Sequence, residues 1–229
     1  MQLQDEMGGG RLPDGVVLLH GFGGAPVQMA LLGQRLRRAG YAILNPHYLS
    51  WHSPVDKIVD DLTPKIASFA DQVSSIHFVG HSMGGLIARA AIARHRPDNL
   101  GHVVTLGTPH GGSELADLLY RLRLHGPFLN RAGRLLRTAR RPGVTALLGA
   151  IDYPLGVVAG DRPLGGPFAS LFFTQPHDGL VSVAATHADG QADHLVMHVE
   201  HMTMIYRAAV ARQIIHFLAN GAFQRPDRP

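Results

Sequence analysis

Residues 76–92 read IHFVGHSMGGLIARAAI. An apolar run that suits a buried strand (76–80) meets an amphipathic run that suits a helix (86–92), with the frame Gly80-His81-Ser82-Met83-Gly84 between them. A backbone that passes from strand to helix within so few residues must reverse sharply, and the residue at the apex sits in a strained conformation. Side chains two positions before and after the apex would collide, which gives Gly80 and Gly84 a steric task. Ser82 then projects above the end of the strand, with the first turn of the helix pointing at whatever bonds to its oxygen. The competing reading is a glycine-rich turn whose serine is incidental. The pentapeptide alone does not separate the two, so the rest of the chain has to.

Strands and helices alternate along that rest. Apolar runs at 16–20, 41–46, 76–80, 102–108, 155–160, 171–176 and 194–199 read as strands, and the amphipathic stretches 28–39, 55–72 and 203–219 read as helices. Such alternation predicts an α/β fold with a mostly parallel central sheet and helices on both faces. No linker or internal repeat divides the 229 residues, so one domain is expected over 1–229. In that architecture ligands gather beyond the carboxyl ends of the strands, and the glycine-rich segments HGFGG (20–24), GHSMGG (80–85) and LGTPHGG (106–112) each follow a strand.

The exception to the alternation is 113–150. It carries leucines at helical spacing (Leu115, Leu118, Leu119, Leu122), seven arginines between 121 and 141, and no acid between Leu118 and Ile151. It reads as a helical insertion over the sheet, its leucines facing a pocket.

Composition narrows the chemistry further. With no cysteine there is neither a disulfide nor a thiolate nucleophile. The first fifteen residues lack the charged-then-apolar pattern of a signal peptide, and no apolar run could span a bilayer, so a cytoplasmic protein is expected. The formal charge is +4, but only 17% of residues are charged, so positive charge matters only where it is local.

A serine hydroxyl needs a base to take its proton and a group to orient that base. Position has to choose among fifteen histidines. His81 adjoins Ser82 and should point its ring elsewhere, which makes it, like His20, a candidate for the pocket wall. His194 and His198 fall in a strand and His216 on a helix face. His201 lies between the last strand and the last helix, where a loop can reach back to Ser82, and it is the expected base. Asp161 directly ends a strand, and Asp178 opens a tight turn ahead of Leu180 and Val181. Either could be the orienting acid, and spacing alone leaves both open. Backbone N–H groups of Met83, after the serine, and of Phe22, in the loop after the first strand, are placed to stabilise an oxyanion. A phosphate-cradling reading of HGFGG fails, because neither G-x-G-x-x-G nor Gly-Lys-Ser/Thr is present.

Taken in order, HGFGG, GHSMGG, LGTPHGG, the Asp178-Gly179-Leu180-Val181 turn and Glu200-His201 resemble an α/β-hydrolase of the lipase/esterase group, over roughly residues 14–220. The sequence is similar to bacterial triacylglycerol lipases and to GPI-inositol-deacylase-like proteins. The resemblance implies Asp178 as the acid, Phe22 and Met83 as oxyanion donors, and 113–150 as a lid or part of an acyl pocket. Calcium-containing relatives carry an Asp two residues after the base, where this chain has Thr203, so no structural calcium and no cofactor are expected. The absence of a signal-peptide pattern departs from secreted lipases and weighs against bulk triglyceride as substrate.

The expected activity is hydrolysis of a small-molecule or lipid carboxylic ester through an acyl-enzyme. Thioester or amide hydrolysis by the same residues is the alternative, and a binding protein on a hydrolase scaffold is the rival from another class. Zinc is disfavoured because H-E-x-x-H is absent, and nucleic acid because no binding motif accompanies the arginines. Those arginines have two readings: a solvated helix face, or the basic side of a lid that meets anionic lipid.

Overall fold

A computed structural model describes residues 12–123, 132–140, 142–163, 173 and 175–225. Within it, β1 (Gly15–Leu19), β2 (Ala42–Leu44), β3 (Ile76–His81), β4 (Leu100–Leu106), β5 (Leu155–Gly160) and β6 (Asp193–Met197) form one sheet in the order β2-β1-β3-β4-β5-β6. Every pairing is parallel. Side chains along β1 alternate between two cores. Val17 and Leu19 pack with α2 (Val55–Ala70) and α3 (Met83–Arg94), whereas Val16 and Leu18 pack with α1 (Pro26–Arg38) and the last helix. All five β1 residues are buried, as a strand covered on both faces requires.

Strand order reverses at β1, which lies between β2 and β3. The loops leaving β1 and β3 therefore flank the crevice where such sheets take ligands. HGFGG and Ser82 lie on those two loops. Register sets them level, since Leu19 pairs with Gly80, and Gly80 with Thr105.

Between β4 and β5 the chain forms α4 (Glu114–Arg121), a 3₁₀ turn (Ala132–Leu136) and α5 (Pro142–Ala146). Ser113 caps α4 by accepting from the Ala116 N–H, with Glu114 and Asp117 in the first turn, a favourable sign for that end of a helix. The last helix, α6 (Ala208–Asn220), is preceded by a 3₁₀ turn at Met204–Tyr206, which shortens the helix expected over 203–219.

The strand expected over 171–176 does not appear among the described residues. Of 171–176, residues 171, 172 and 174 lie outside the described residues, and Phe173, Gln175 and Pro176 are not in a strand. Phe173 is buried because its ring stacks on His177 at 4.2 Å, and Pro176 has no N–H to give a ladder.

Candidate active site

Ser82 is the residue between β3 and α3, with φ 54° and ψ −125°, a left-handed conformation that a residue bearing a Cβ adopts only when its surroundings compel it. Its N–H donates to the Leu106 carbonyl at 2.8 Å, and its carbonyl accepts from Thr108 Oγ1 at 2.8 Å, so β4 and the loop after it hold the turn. The glycines around it are there for space. A Cβ on Gly84 would land on the carbonyl oxygen of Leu19, and one on Gly80 on the backbone of Gly85.

His201 follows β6, and its Nδ1 lies 2.7 Å from Asp178 Oδ2, both side chains being at most 2% exposed. The other carboxylate oxygen, Oδ1, accepts from the N–H groups of Leu180 (3.0 Å) and Val181 (2.8 Å). The tight turn that follows Asp178 thus anchors its carboxylate. Backbone joins the pair as well, since the His201 N–H donates to the Asp178 carbonyl at 3.0 Å. Asp161, the competing carboxylate, is taken by His198 Nδ1 at 2.9 Å, on an imidazole that is 75% exposed. Beneath the Asp178–His201 pair runs Gly107, at φ 56°, where a Cβ would come within 2.9 Å of both Asp178 Oδ2 and His201 Nδ1. Only glycine lets LGTPHGG pass there.

Ser82 and His201 open on one cavity of 170 Å³. Phe22, Gly21 and Gln28 wall it on the β1 side, and Leu115, Ala116, Leu119 and Leu136 of the insertion wall it on the other. Leu180, Val181 and Met202 complete an apolar lining. The Phe22 ring stacks on Trp51 at 5.1 Å, which braces the loop after β1. Met83 begins α3, where first-turn N–H groups have no intrahelical acceptor, and its side chain is fully buried.

Of the expected pocket residues, His81, Leu115 and Leu119 line the cavity, while His20, Leu118 and Leu122 do not. His20 is fully buried and stacks on Tyr48 at 4.0 Å, its Nδ1 3.0 Å from the Gly21 carbonyl, and burial lowers its pKa. Leu122 is 57% exposed. A helix as short as α4 turns only part of its leucine stripe toward the cavity.

Sequence reasoning also missed two features. The His81 ring does not point away from the site, because its Nε2 reaches the His201 carbonyl at 3.0 Å. Arg140 is no surface charge either. Its guanidinium donates to the carbonyls of Leu135 (2.7 Å), His110 (2.6 Å) and Pro109 (2.7 Å), and burial, with Arg89 nearby, pushes its pKa down to about 10. It fastens the insertion to the TPHGG loop, where the His110 ring is held neutral, at about 3, by burial and the two arginines. A carbonyl clamp leaves no mark in the sequence, since its partners are backbone. Arg137 pairs with Asp117 at 3.3 Å and lies over the Tyr120 ring, whereas Arg121, Arg123 and Arg134 are exposed. Arg131 and Arg141 lie outside the described residues.

The family model for palmitoyl protein thioesterase matches residues 15–133, just over half of the chain. The chain belongs to that family. As a palmitoyl protein thioesterase family member it falls within the α/β-hydrolase lipase/esterase group. A triacylglycerol lipase of Pseudarthrobacter phenanthrenivorans is 44% identical over 52 residues, which span 22% of this chain and only 15% of that lipase. In structure, the mature form of a Bacillus licheniformis lipase matches with a TM-score of 0.65 at 20% identity, over 85% of this chain and 87% of that one. A phospholipase from Legionella pneumophila matches with a TM-score of 0.67 at 17% identity, over 93% of this chain and 60% of that one. The structural likenesses establish the α/β-hydrolase fold. Among the described residues no group of three or more His, Cys, Asp or Glu is gathered as metal ligands, and no helix is long and apolar enough to cross a membrane.

Proposed function

We propose that the protein hydrolyses acyl esters through an acyl-enzyme on Ser82, with His201 as general base and acid and Asp178 as the group that orients it. The observation that carries this reading is the strained Ser82, set on the same apolar cavity as a buried His201–Asp178 pair. With Nδ1–H donated to Asp178 Oδ2, the His201 Nε2 is left as an acceptor for the serine proton. Ser82 Oγ attacks the acyl carbon while Nε2 takes that proton. The tetrahedral oxyanion accepts from the N–H groups of Phe22 and Met83. Collapse expels the alcohol, which leaves with the proton from Nε2. Water, deprotonated by Nε2, then attacks the acyl-serine, and Ser82 leaves with the returned proton as the acid product is released.

Thioester hydrolysis is the second reading, and family membership favours it, because a thiolate leaving group passes through the same tetrahedral species with the same residues. The cavity suits a short or medium acyl segment. A dry apolar cavity of about 150 Å³ holds benzene, so a space of 170 Å³ accommodates roughly six carbons, and a longer chain would extend beyond it. The insertion supplies that wall through Leu115, Leu119 and Leu136, and its exposed Arg121, Arg123 and Arg134 would face an anionic lipid surface.

The test is a panel of p-nitrophenyl esters and acyl-CoA thioesters of graded chain length. Turnover should rise to chains of about six to eight carbons and require Ser82 in both series. Absence of turnover on every substrate, with folded protein, would contradict the reading.

A further inference from the structure

His81 ends β3 and is bonded directly to Ser82 in the chain. Its Nε2 lies 3.0 Å from the backbone carbonyl oxygen of His201, and the two rings stand 4.9 Å apart at 46°. A carbonyl oxygen only accepts, so Nε2 carries the proton and donates it. The His201 backbone is then held on both sides: its N–H donates to the Asp178 carbonyl at 3.0 Å, and its carbonyl accepts from His81. The titratable groups facing the His81 ring are His201, Asp178 and His20. Burial, then His201, pushes the His81 pKa down to about 3, so its ring stays neutral and adds no second positive charge beside a protonated His201. The ring is only 3% exposed.

We infer that His81 is a positioning residue that ties the turn carrying Ser82 to the loop carrying His201, and so sets the gap across which the serine proton passes. This rests on the reading of Ser82 and His201 as nucleophile and base. The two come from strands that are not neighbours, β3 and β6, with β4 and β5 between them. Sheet register therefore does not fix their separation directly, and a hydrogen bond from the residue next to the nucleophile does. Displacements near 1 Å between reacting groups can cost about 10²-fold in rate, so this bond acts on kcat.

The experiment compares wild type with His81→Gln, His81→Asn and His81→Phe. It reads kcat and KM on a short p-nitrophenyl ester, the rate of labelling by a fluorophosphonate, and the melting temperature. A glutamine amide can reach the His201 carbonyl, an asparagine amide is too short, and phenylalanine keeps the volume without a donor. The expected result is that His81→Gln keeps kcat within about fivefold of wild type. His81→Asn and His81→Phe should lose about 10- to 100-fold in kcat and in labelling rate, with KM within about twofold. If His81→Phe does not fold, the glutamine–asparagine pair makes the same distinction. Asn and Phe variants with wild-type kcat would overturn the proposal, as would a Gln variant as slow as Asn. A wild-type protein inert to both ester and fluorophosphonate would instead refute the reading of the site, and the role of His81 would fall with it.

Discussion

The turn around Ser82 and the insertion between β4 and β5 both lie over the carboxyl ends of the strands, yet different physics holds them. At the turn, backbone packs on backbone. Gly84 sits against the Leu19 carbonyl, Gly80 against Gly85, and the Ser82 N–H bonds to the Leu106 carbonyl. In the insertion, long side chains reach across: Arg140 to three carbonyls, Arg137 to Asp117, and Glu114, whose Oε1 accepts from Ser182 Oγ at 2.6 Å. Backbone packing specifies geometry so tightly that few residue types are allowed, whereas side-chain fastening admits many sequences. In the proposed reading, the nucleophile sits on the first kind of structure, and the second kind walls the pocket.

The largest expected effect concerns Asp178, proposed here as the acid that orients His201. Asp178→Asn should lower kcat by roughly 10⁴-fold, because the amide holds the imidazole in the wrong tautomer. Asp161→Asn should leave kcat nearly unchanged, since Asp161 bonds to the exposed His198. The reverse ranking would move the orienting role to Asp161.

The two regions should also answer differently to one added methyl group. Gly84→Ala forces a Cβ onto the Leu19 carbonyl in a fully packed turn, and a loss of roughly 3 kcal/mol or more in urea unfolding is expected. Gly143→Ala in α5 meets nothing within 4 Å and should stabilise by up to about 1 kcal/mol. Equal tolerance at both positions would erase the distinction between the regions.

The smallest effect concerns the exposed arginines. Attraction to an anionic surface is worth about 1 kcal/mol per Arg and fades within roughly 8–10 Å. Changing Arg121, Arg123 and Arg134 to Glu should weaken binding to phosphatidylserine vesicles at low salt and leave turnover of a short soluble ester largely intact. Wild-type protein that ignores such vesicles at low salt would leave these arginines as a solvated face.

The same contrast explains what could be read from the sequence. Strands buried on both faces announce themselves as apolar runs, and the steric demand at Gly80, Gly84 and Ser82 narrows the choice to a few residue types. Spacing does not separate Asp161 from Asp178, because each precedes His201 in a loop of the late chain and the outcome depends on which loop reaches that histidine. Family resemblance favoured Asp178, the carboxylate that the structure brings to His201. Local geometry sets His81 aside as the base and leaves it a pocket residue, and its partner, a carbonyl 120 residues away, has no side-chain signature. Arg140 was hidden among seven arginines for the same reason: a backbone acceptor leaves no pattern.

The central claim, that Ser82 is a nucleophile activated by His201, is tested most directly by mass spectrometry of the protein after reaction with a fluorophosphonate. One adduct is predicted, on the peptide that carries Ser82. It should be absent from Ser82→Ala and formed at least about 10³-fold more slowly by His201→Ala. An adduct on another serine, or labelling of His201→Ala at the wild-type rate, would contradict the account.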